Sequence, residues 1–279
     1  TFTDVCMFNQ DSGEVLVHKI PSTPWDPSEA IGKGIQEILE INQVSPKSVA
    51  YLAHGTTVAI NATLERKGSK TGIITTKGFR DLIELARQTR ASLYDVQVEK
   101  PVPIIFRRMR KEVDERIASD GSIFKPLNIK EVEQVVDELK EEGAVSYAVC
   151  LLHSYINPSH EKLIKDVILA RHPDAYVSIS CEVLPEIREY ERMTTTALNS
   201  YIGPIIGKYA TYFKRRIKDM GMELIPYINQ SNGGLMSIEM TFNNPIRTTL
   251  SGPAAGVTGA SYLTKIARVK NIITFDMGG

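Results

Sequence analysis

The chain of 279 residues lacks net charge: 33 Lys and Arg offset 33 Asp and Glu. A balanced chain carries no global field to hold it on nucleic acid or an anionic membrane, so neither is an expected partner. Cysteine is scarce. Cys6, Cys150 and Cys181 are odd in number, far apart and set among apolar residues. They read as buried thiols of a reducing cytoplasm, which argues against a disulfide framework, and no His, Cys or Asp spacing matches a zinc motif. Long apolar runs are missing too. Ala144–Leu152 and Asn271–Phe275 are strand-length, against the ~20 residues of a membrane span. The chain opens on polar Thr1-Phe2-Thr3-Asp4, so a signal peptide is not expected and the location is expected to be cytoplasmic. There is no internal repeat and no low-complexity tract. With 42% hydrophobic and 24% charged residues the composition excludes disorder, and the length suggests about two domains.

What is present is a strand–helix alternation from end to end, which predicts an α/β fold. Asp4–Phe8 and Val15–Ile20 are β-rich runs joined by a turn-forming Asn9–Gly13. Asp26-Pro27-Ser28-Glu29 combines an N-cap, a proline at the first helical position and a capping-box acid, and Ile31, Ile35, Ile38 and Leu39 then share one face. Strands are expected at Val49–Ala53 and Gly72–Thr75, with helices from about Thr57 to Gly68 and over Phe79–Arg87. Arg107–Ile117 alternates charged and apolar residues and reads as an exposed strand with a solvated face. Asn128 caps a helix with Val132, Val135, Val136 and Leu139 inward, and Gly143 ends it. Ala144–Leu152 reads as the centre of a sheet covered on both faces. Ser159–Arg171 is expected as helix and Tyr176–Ser180 as strand. From about Glu186 to Met220 the pattern is helical, and Gly203-Pro204 predicts two helices or a sharp bend, since an interior proline costs ~3 kcal/mol. Short strands at Leu224–Asn229 and Arg247–Leu250, a helix over Ser251–Ala267 and a final strand at Ile272–Phe275 complete the expectation.

Several constellations can carry chemistry. Phe275-Asp276-Met277-Gly278-Gly279 ends an apolar run on an acid and two glycines. Gly278 and Gly279 let backbone N–H groups close on a phosphate, and Asp276 can hold Mg2+ or its waters beside it; a plain β-turn would look the same. Thr1, Thr3 and Asp4 before the first strand can donate to or flank a phosphate, and alone say little. Thr56 and Thr57 follow a strand and start a helix, so anion binding and a simple N-cap both remain open. His54 beside them reads as a phosphate contact, as a proton carrier near neutral pH, or as a structural histidine. Asn232-Gly233-Gly234 reads first as a hairpin turn. His153 and His160 fit capping and surface positions better than metal binding. Glu186, Glu189 and Glu191 near Arg188 and Arg192 fit a salt-bridged, solvated helix face.

Taken together, the two ends resemble the phosphate loops, Asp-x-Gly-Gly-Thr-[Phe/Ser]-Thr-Asp, of the actin/hexokinase/Hsp70-like ATPases. Thr1–Val5 is similar to the second half of the first loop, and Phe275–Gly279 to the first half of the second. With Thr in place of Met at position 1, both ends are expected to be cut. Ser251-Gly252-Pro253-Ala254-Ala255-Gly256 is similar to the small-residue connecting helix that precedes the second loop, where close helix approach forms a hinge. His54-Gly55-Thr56-Thr57-Val58-Ala59-Ile60-Asn61-Ala62, Gly72-Ile73-Ile74-Thr75-Thr76-Lys77-Gly78-Phe79-Arg80-Asp81, Ser180-Cys181-Glu182-Val183-Leu184-Pro185-Glu186 and Gln230-Ser231-Asn232-Gly233-Gly234 resemble the hydantoinase/oxoprolinase A-type subunit. Ser180-Cys181-Glu182-Val183 departs from the Ser-Ser-Glu-Val usual there.

That resemblance implies a ribonuclease-H-like, actin/Hsp70-type ATPase lobe, incomplete, with inserted α/β elements. It places an N-terminal-type domain, lacking its first strand, over 1–180, and the start of the main domain, cut at the second phosphate loop, over 181–279. It implies ATP-dependent opening of a cyclic amide such as a hydantoin or 5-oxoproline, with ATP and Mg2+ as cofactors and a B-type subunit or fused B region as partner in an oligomer. His54 and Asp276 are then the catalytic candidates, and Thr1, Thr3, Asp4, Thr56, Thr57, Gly278 and Gly279 the nucleotide-binding ones. An acetone- or acetophenone-carboxylase-type subunit on the same scaffold is the alternative. A catalytically silent fragment or interaction module is a third reading.

Overall fold

The N-terminal alternation folds as a hairpin in the structure, a computed structural model that describes residues 2–23, 26–89, 92–95 and 97–275. Strands β1 (Phe2–Phe8) and β2 (Val15–Pro21) pair antiparallel, with Thr3 opposite Ile20 and Met7 opposite Leu16. The Asn9 side chain accepts from Asp11 and Ser12 N–H, and Gly13, at φ +72°, completes the turn. Helix α1 (Pro27–Ile41) starts as its sequence dictates: Asp26 Oδ1 accepts from Ser28 N–H at 3.0 Å, Pro27 occupies the first turn, and Ile31, Ile35, Ile38 and Leu39 are buried. Strand β3 (Ala53–His54) and helix α2 (Val58–Leu64) follow, then β4 (Thr71–Thr76), buried along its whole length.

Next come α3 (Leu82–Leu85), β5 (Arg110–Val113) and a small hairpin of β6 (Arg116–Ile117) and β7 (Ile123–Lys125). Helix α4 (Ile129–Glu141) is capped by Asn128, which accepts from Lys130 N–H, and it buries Val132, Val135, Val136 and Leu139. Strand β8 (Ser146–Cys150) is wholly buried; α5 (Ser159–Arg171), β9 (Tyr176–Ile179) and α6 (Ser180–Val183) lead to α7 (Glu189–Asp219). Strands β10 (Tyr227–Asn229) and β11 (Leu235–Ser237) precede α8 (Ser251–Ala267).

These elements form two compact units, residues 1–61 with 205–279, and residues 62–204. The chain passes between them after Asn61, within α2, and after Pro204, within α7. The second unit is built on an all-parallel sheet ordered β5-β4-β8-β9. Ile73, Ile74, Tyr147 and Val149 in its central strands are fully buried, with Val132, Val136, Leu139, Ile164 and Ile168 of α4 and α5 in the same core. The first unit has two sheets, the β1-β2 hairpin and the three-stranded β11-β10-β3. Its core joins the inner face of α1 to Tyr209, Ala210, Phe213 and Ile217 of α7.

Five local readings are corrected. Arg107–Ile117 is not a solvated strand: a 3-10 turn covers Arg107–Met109, β5 is sheet-bound, and Arg110, 1% exposed, donates from Nε and Nη2 to Ile105 O. Pro204 does not divide the stretch into two helices: it lies inside the single helix α7. Tyr201, Ile202, Ile206 and Tyr209 are buried on either side of it, and burial worth about 1.5–3 kcal/mol per large side chain outweighs the proline's ~3 kcal/mol. Arg247–Leu250 is not a strand, since Pro245–Thr248 turns as 3-10 helix. Ile272–Phe275 is in no strand among the described residues, and Ile273 is 97% exposed. Cys6 is an exposed thiol because it lies on the outward face of β1, whereas Cys150 is buried.

Candidate active site in the first unit

Strands β3 and β10 run parallel, with Ile228 opposite His54, so their carboxyl ends share one side. Ligands of parallel α/β sheets collect at such ends. Two stretches singled out in the sequence leave the sheet there: Gly55-Thr56-Thr57 after β3 and Gln230–Gly234 after β10. A third joins them. Ser251, the first residue of α8, donates from Oγ to Thr56 O at 3.0 Å. Ser231 Oγ donates to Arg247 O at 2.8 Å and accepts from Leu250 N–H at 3.4 Å. A Cβ at Gly233 would stand 3.1 Å from Thr258 Oγ1 of α8, so a side chain there would press on the helix.

Each candidate has a definite setting. Thr56 is buried, and its Oγ1 accepts from Val58 N–H at 3.2 Å, fixing the turn into α2. Thr57 is exposed, and its Oγ1 accepts from Asn61 Nδ2 at 3.3 Å. The His54 ring lies 5.6 Å from Phe213 and 6.0 Å from Tyr209, centroid to centroid. Its Nε2 is buried without a hydrogen-bond partner, and burial drives the imidazole down to about 4, so the ring is neutral at pH 7. The same burial raises the Tyr209 phenol above its ordinary range, an effect the Thr56 hydroxyl only partly offsets.

Helix α8 begins after Leu250 without a side-chain cap. Its first N–H groups have no partner inside the helix, and the positive end of the dipole sits at the Thr56 turn. The Gln230–Gly234 turn is more self-contained: Gly233 N–H donates to Gln230 O and Gly234 N–H to Asn232 Oδ1, so these donors serve the turn. A Cβ added at Gly256 or Gly259 would meet nothing within 4 Å among the described residues, so neither glycine makes a close helix approach here.

The first-loop candidates stand elsewhere. Thr3 Oγ1 shares a hydrogen bond with Ser22 Oγ at 2.9 Å, and Asp4 pairs across the hairpin with Lys19 at 3.2 Å. Both belong to the β1-β2 sheet and not to that of His54. Thr1, Asp276, Gly278 and Gly279 lie outside the described residues. Among the described residues no three His, Cys, Asp or Glu side chains converge to hold a metal ion, and no helix is long and apolar enough to cross a membrane.

Two buried charged groupings of the second unit escape sequence reasoning. His160 is not at the surface; it is 3% exposed, with Nδ1 2.7 Å from Glu115 Oε2, and Thr76 donates to the other oxygen of the same carboxylate. Glu161 accepts from Leu151 N–H, Ser180 Oγ and Cys181 N–H. Arg192 is wholly buried instead of solvated: Nη2 donates to Leu151 O at 2.6 Å, and the guanidinium lies 5.1 Å from the Tyr155 ring centre. Burial raises the Cys150 thiol to about 12, so it is inert. These groups fill the carboxyl ends of β4, β8 and β9. The only signal for them is a set of isolated charges scattered from Glu115 to Arg192, with no shared motif.

Residues 1–171 match the hydantoinase/oxoprolinase N-terminal region, and residues 192–279 match hydantoinase/oxoprolinase. The chain belongs to the hydantoinase/oxoprolinase family. Within that family, it is 32% identical to caprolactamase subunit alpha of Pseudomonas jessenii, aligning over 100% of this chain and 41% of that protein. The crystal structure of ATP-dependent caprolactamase from that organism superposes with a TM-score of 0.86 at 31% identity, over 100% of this chain and 41% of the other. The chain is also 32% identical to 5-oxoprolinase 1 of Arabidopsis thaliana, over 100% of its own length and 24% of that protein. The nucleotide-free structure of acetone carboxylase matches with a TM-score of 0.86 at 25% identity, covering 96% of this chain and 40% of that one. The chain therefore spans less than half the length of these relatives.

Proposed function

We propose that this chain is part of an ATP-dependent cyclic-amide hydrolase subunit, cytoplasmic, working with a B-type subunit or region. The observation that carries the reading is the meeting of the Thr56-Thr57 turn with the uncapped start of α8 beside a neutral, unpartnered His54. The fit to a nucleotide phosphate is good at this point: two hydroxyls, free helix N–H groups and a ring nitrogen without a partner. ATP, when bound, would supply the phosphoryl group that activates the amide oxygen, so that water can add to the carbonyl carbon, the C–N bond can break with its electron pair leaving on a protonated nitrogen, and the oxygen can depart with phosphate. Thr56 and Thr57 would hold phosphate oxygens together with the α8 N–H groups, and His54 would give or take a hydrogen bond through Nε2. Asp276 with Gly278 and Gly279 completes the proposal as the Mg2+-holding second loop, and Thr1 belongs to the first. Thr3 and Asp4 fit less well, because Ser22 and Lys19 already engage them.

A ring amide is a poor electrophile, so coupling its opening to ATP meets both the barrier and the equilibrium. The names of the relatives, caprolactamase and 5-oxoprolinase, support the amide reading. The equal TM-score to acetone carboxylase keeps ketone activation as the second reading. ADP release by the parent complex separates the two. It is expected to depend on 5-oxoproline, a hydantoin or a lactam, and to ignore acetone with bicarbonate; the reverse dependence overturns the first reading.

A further inference from the structure

The second unit contains a cavity of about 370 Å3, between the start of α7, α3 and the segment Lys100–Ile105. Its size sits at the lower end of small-molecule sites. Ile83, Val102, Ile104, Ala197 and Leu198 make most of the wall apolar. One side of that wall is stiffened. Pro101 and Pro103 bias Lys100 and Val102 toward extended backbone, and Arg66 Nη2 donates to Val102 O at 2.7 Å.

Polar donors interrupt the apolar wall. Thr194 Oγ1 is buried and has no hydrogen-bond partner. A helical threonine can donate to the carbonyl four residues back, as Thr196 does to Arg192 O, but Thr194 does not. The Thr89 and Tyr190 hydroxyls line the same cavity. So does Lys100, whose Nζ donates to Leu85 O at 3.0 Å and to Glu84 O at 3.5 Å. Those carbonyls leave the third N–H of the ammonium over, and they cancel none of its charge. Among the described residues no carboxylate pairs with Lys100. The acid in the lining, Glu84, is turned to another cation: its Oε1 accepts from Nη2 of Arg110 at 3.4 Å, and Arg110 is 1% exposed. Two cations thus share one carboxylate, and one positive charge stays unmatched at the cavity.

These groups select among ligands. A hydrocarbon body suits the wall. A carboxylate brings acceptors only, which an ammonium and hydroxyls satisfy, and its single charge matches the one left over. A phosphate dianion would bring two charges to one cation, an amine would meet Lys100 as a like charge, and a neutral amide would leave Lys100 unmatched.

We infer that this cavity binds a small monocarboxylate with a hydrocarbon body, its carboxylate held by Lys100 Nζ and Thr194 Oγ1. This binding stands apart from the proposed reaction, whose phosphate turn belongs to the first unit. Titration calorimetry and ligand-observed NMR on the full chain test it, with hexanoate, hexanamide and 6-aminohexanoate as probes. Hexanoate is expected to bind at least tenfold more tightly than hexanamide, which keeps the body and loses the charge. The same margin is expected over 6-aminohexanoate, which puts an ammonium at the apolar end. Lys100→Met should weaken hexanoate about 10- to 100-fold, the range of a hydrogen bond to a charged group, and hexanamide far less. Thr194→Val should weaken hexanoate about 3- to 10-fold, and Thr194→Ser should restore most of it.

Lys100 is exposed, so its substitution leaves the fold intact, and thermal melts check all three variants. Hexanoate binding that Lys100→Met leaves unchanged overturns the assignment. So does hexanamide or 6-aminohexanoate binding as tightly as hexanoate, or no hexanoate binding at millimolar concentration. Each of these results leaves the cyclic-amide reading standing, because ADP release by the parent complex decides that separately.

Discussion

At the scale of single residues, the most testable group is His54. Burial against Tyr209 and Phe213 lowers its pKa to about 4, below the value of an unfolded chain. The unfolded state therefore binds a proton that the folded state refuses. The contribution is fully present above about pH 6.5 and is lost as the pH falls from there toward 4. Denaturant unfolding at pH 7 and pH 5 should show wild type losing up to about 2 kcal/mol more than His54→Gln. Equal losses would mean the ring is solvated and protonates freely. Asp26 works in the opposite sense. Burial raises its carboxyl, but the Ser28 hydrogen bonds and the Arg216 guanidinium, 2.7 Å away, more than offset that and hold it below the ordinary range. Its support is present above the unfolded carboxylate pKa and fades as acid protonates it. A neutral His54 bears on function too, since at pH 7 it can accept a hydrogen bond or pass a proton but brings no positive charge to an anion.

At the scale of elements, glycine placement separates packing from propensity. In α1, a Cβ at Gly34 would stand 2.8 Å from Val5 Cγ2 and 3.2 Å from Ile20 Cδ1, so the hairpin packs directly on the helix backbone. In α7, a Cβ at Gly203 would stand 2.3 Å from Tyr176 Cε1, inside the ring's own volume. Alanine gains up to about 1 kcal/mol of helix propensity, and overpacking costs about 1–3 kcal/mol or more. Gly34→Ala and Gly203→Ala should therefore lower stability, the second more severely. Gly256→Ala in α8, where nothing is close, should raise it by about 0.5–1 kcal/mol. Urea midpoints check all three, and a stabilised Gly203→Ala would show that the helix does not approach Tyr176.

Elements whose identity rests on their own residues are legible in the sequence. The Asp26 and Asn128 caps, the buried stripes of α1 and α4 and the continuous apolar run of β8 all follow from local pattern. What sequence reasoning misses depends on distant partners. Arg110 is buried because Ile105 O and Glu84 receive it. Pro204 reads as a break because its cost is local, whereas the burial of Tyr201, Ile202, Ile206 and Tyr209 that offsets it depends on how the helix packs. The candidate site shows the same division. His54–Thr57, Gln230–Gly234 and Ser251 are visible as motifs, and their meeting at the carboxyl ends of β3 and β10 explains why three separate stretches carry small and hydroxyl residues. Arg192, His160 and Glu115 belong to no motif and become visible only through what surrounds them.

At the scale of the whole molecule, the chain forms two compact units. The first gathers hydroxyls and free N–H groups at the carboxyl ends of the parallel pair β3 and β10, which suits a phosphate. The second seals the carboxyl ends of its larger parallel sheet with the buried Glu115–His160 pair, Glu161 and Arg192, and keeps its cavity to one side, between α3 and α7. The relatives within the family include an ATP-dependent caprolactamase and 5-oxoprolinases. The most direct test of the account follows one oxygen atom. A cyclic amide labelled with 18O at its carbonyl is turned over by the parent complex with Mg·ATP, and the inorganic phosphate is analysed by mass. Phosphoryl transfer to the amide oxygen predicts one 18O in each phosphate released. Unlabelled phosphate, with the label kept entirely in the ring-opened carboxylate, would contradict it.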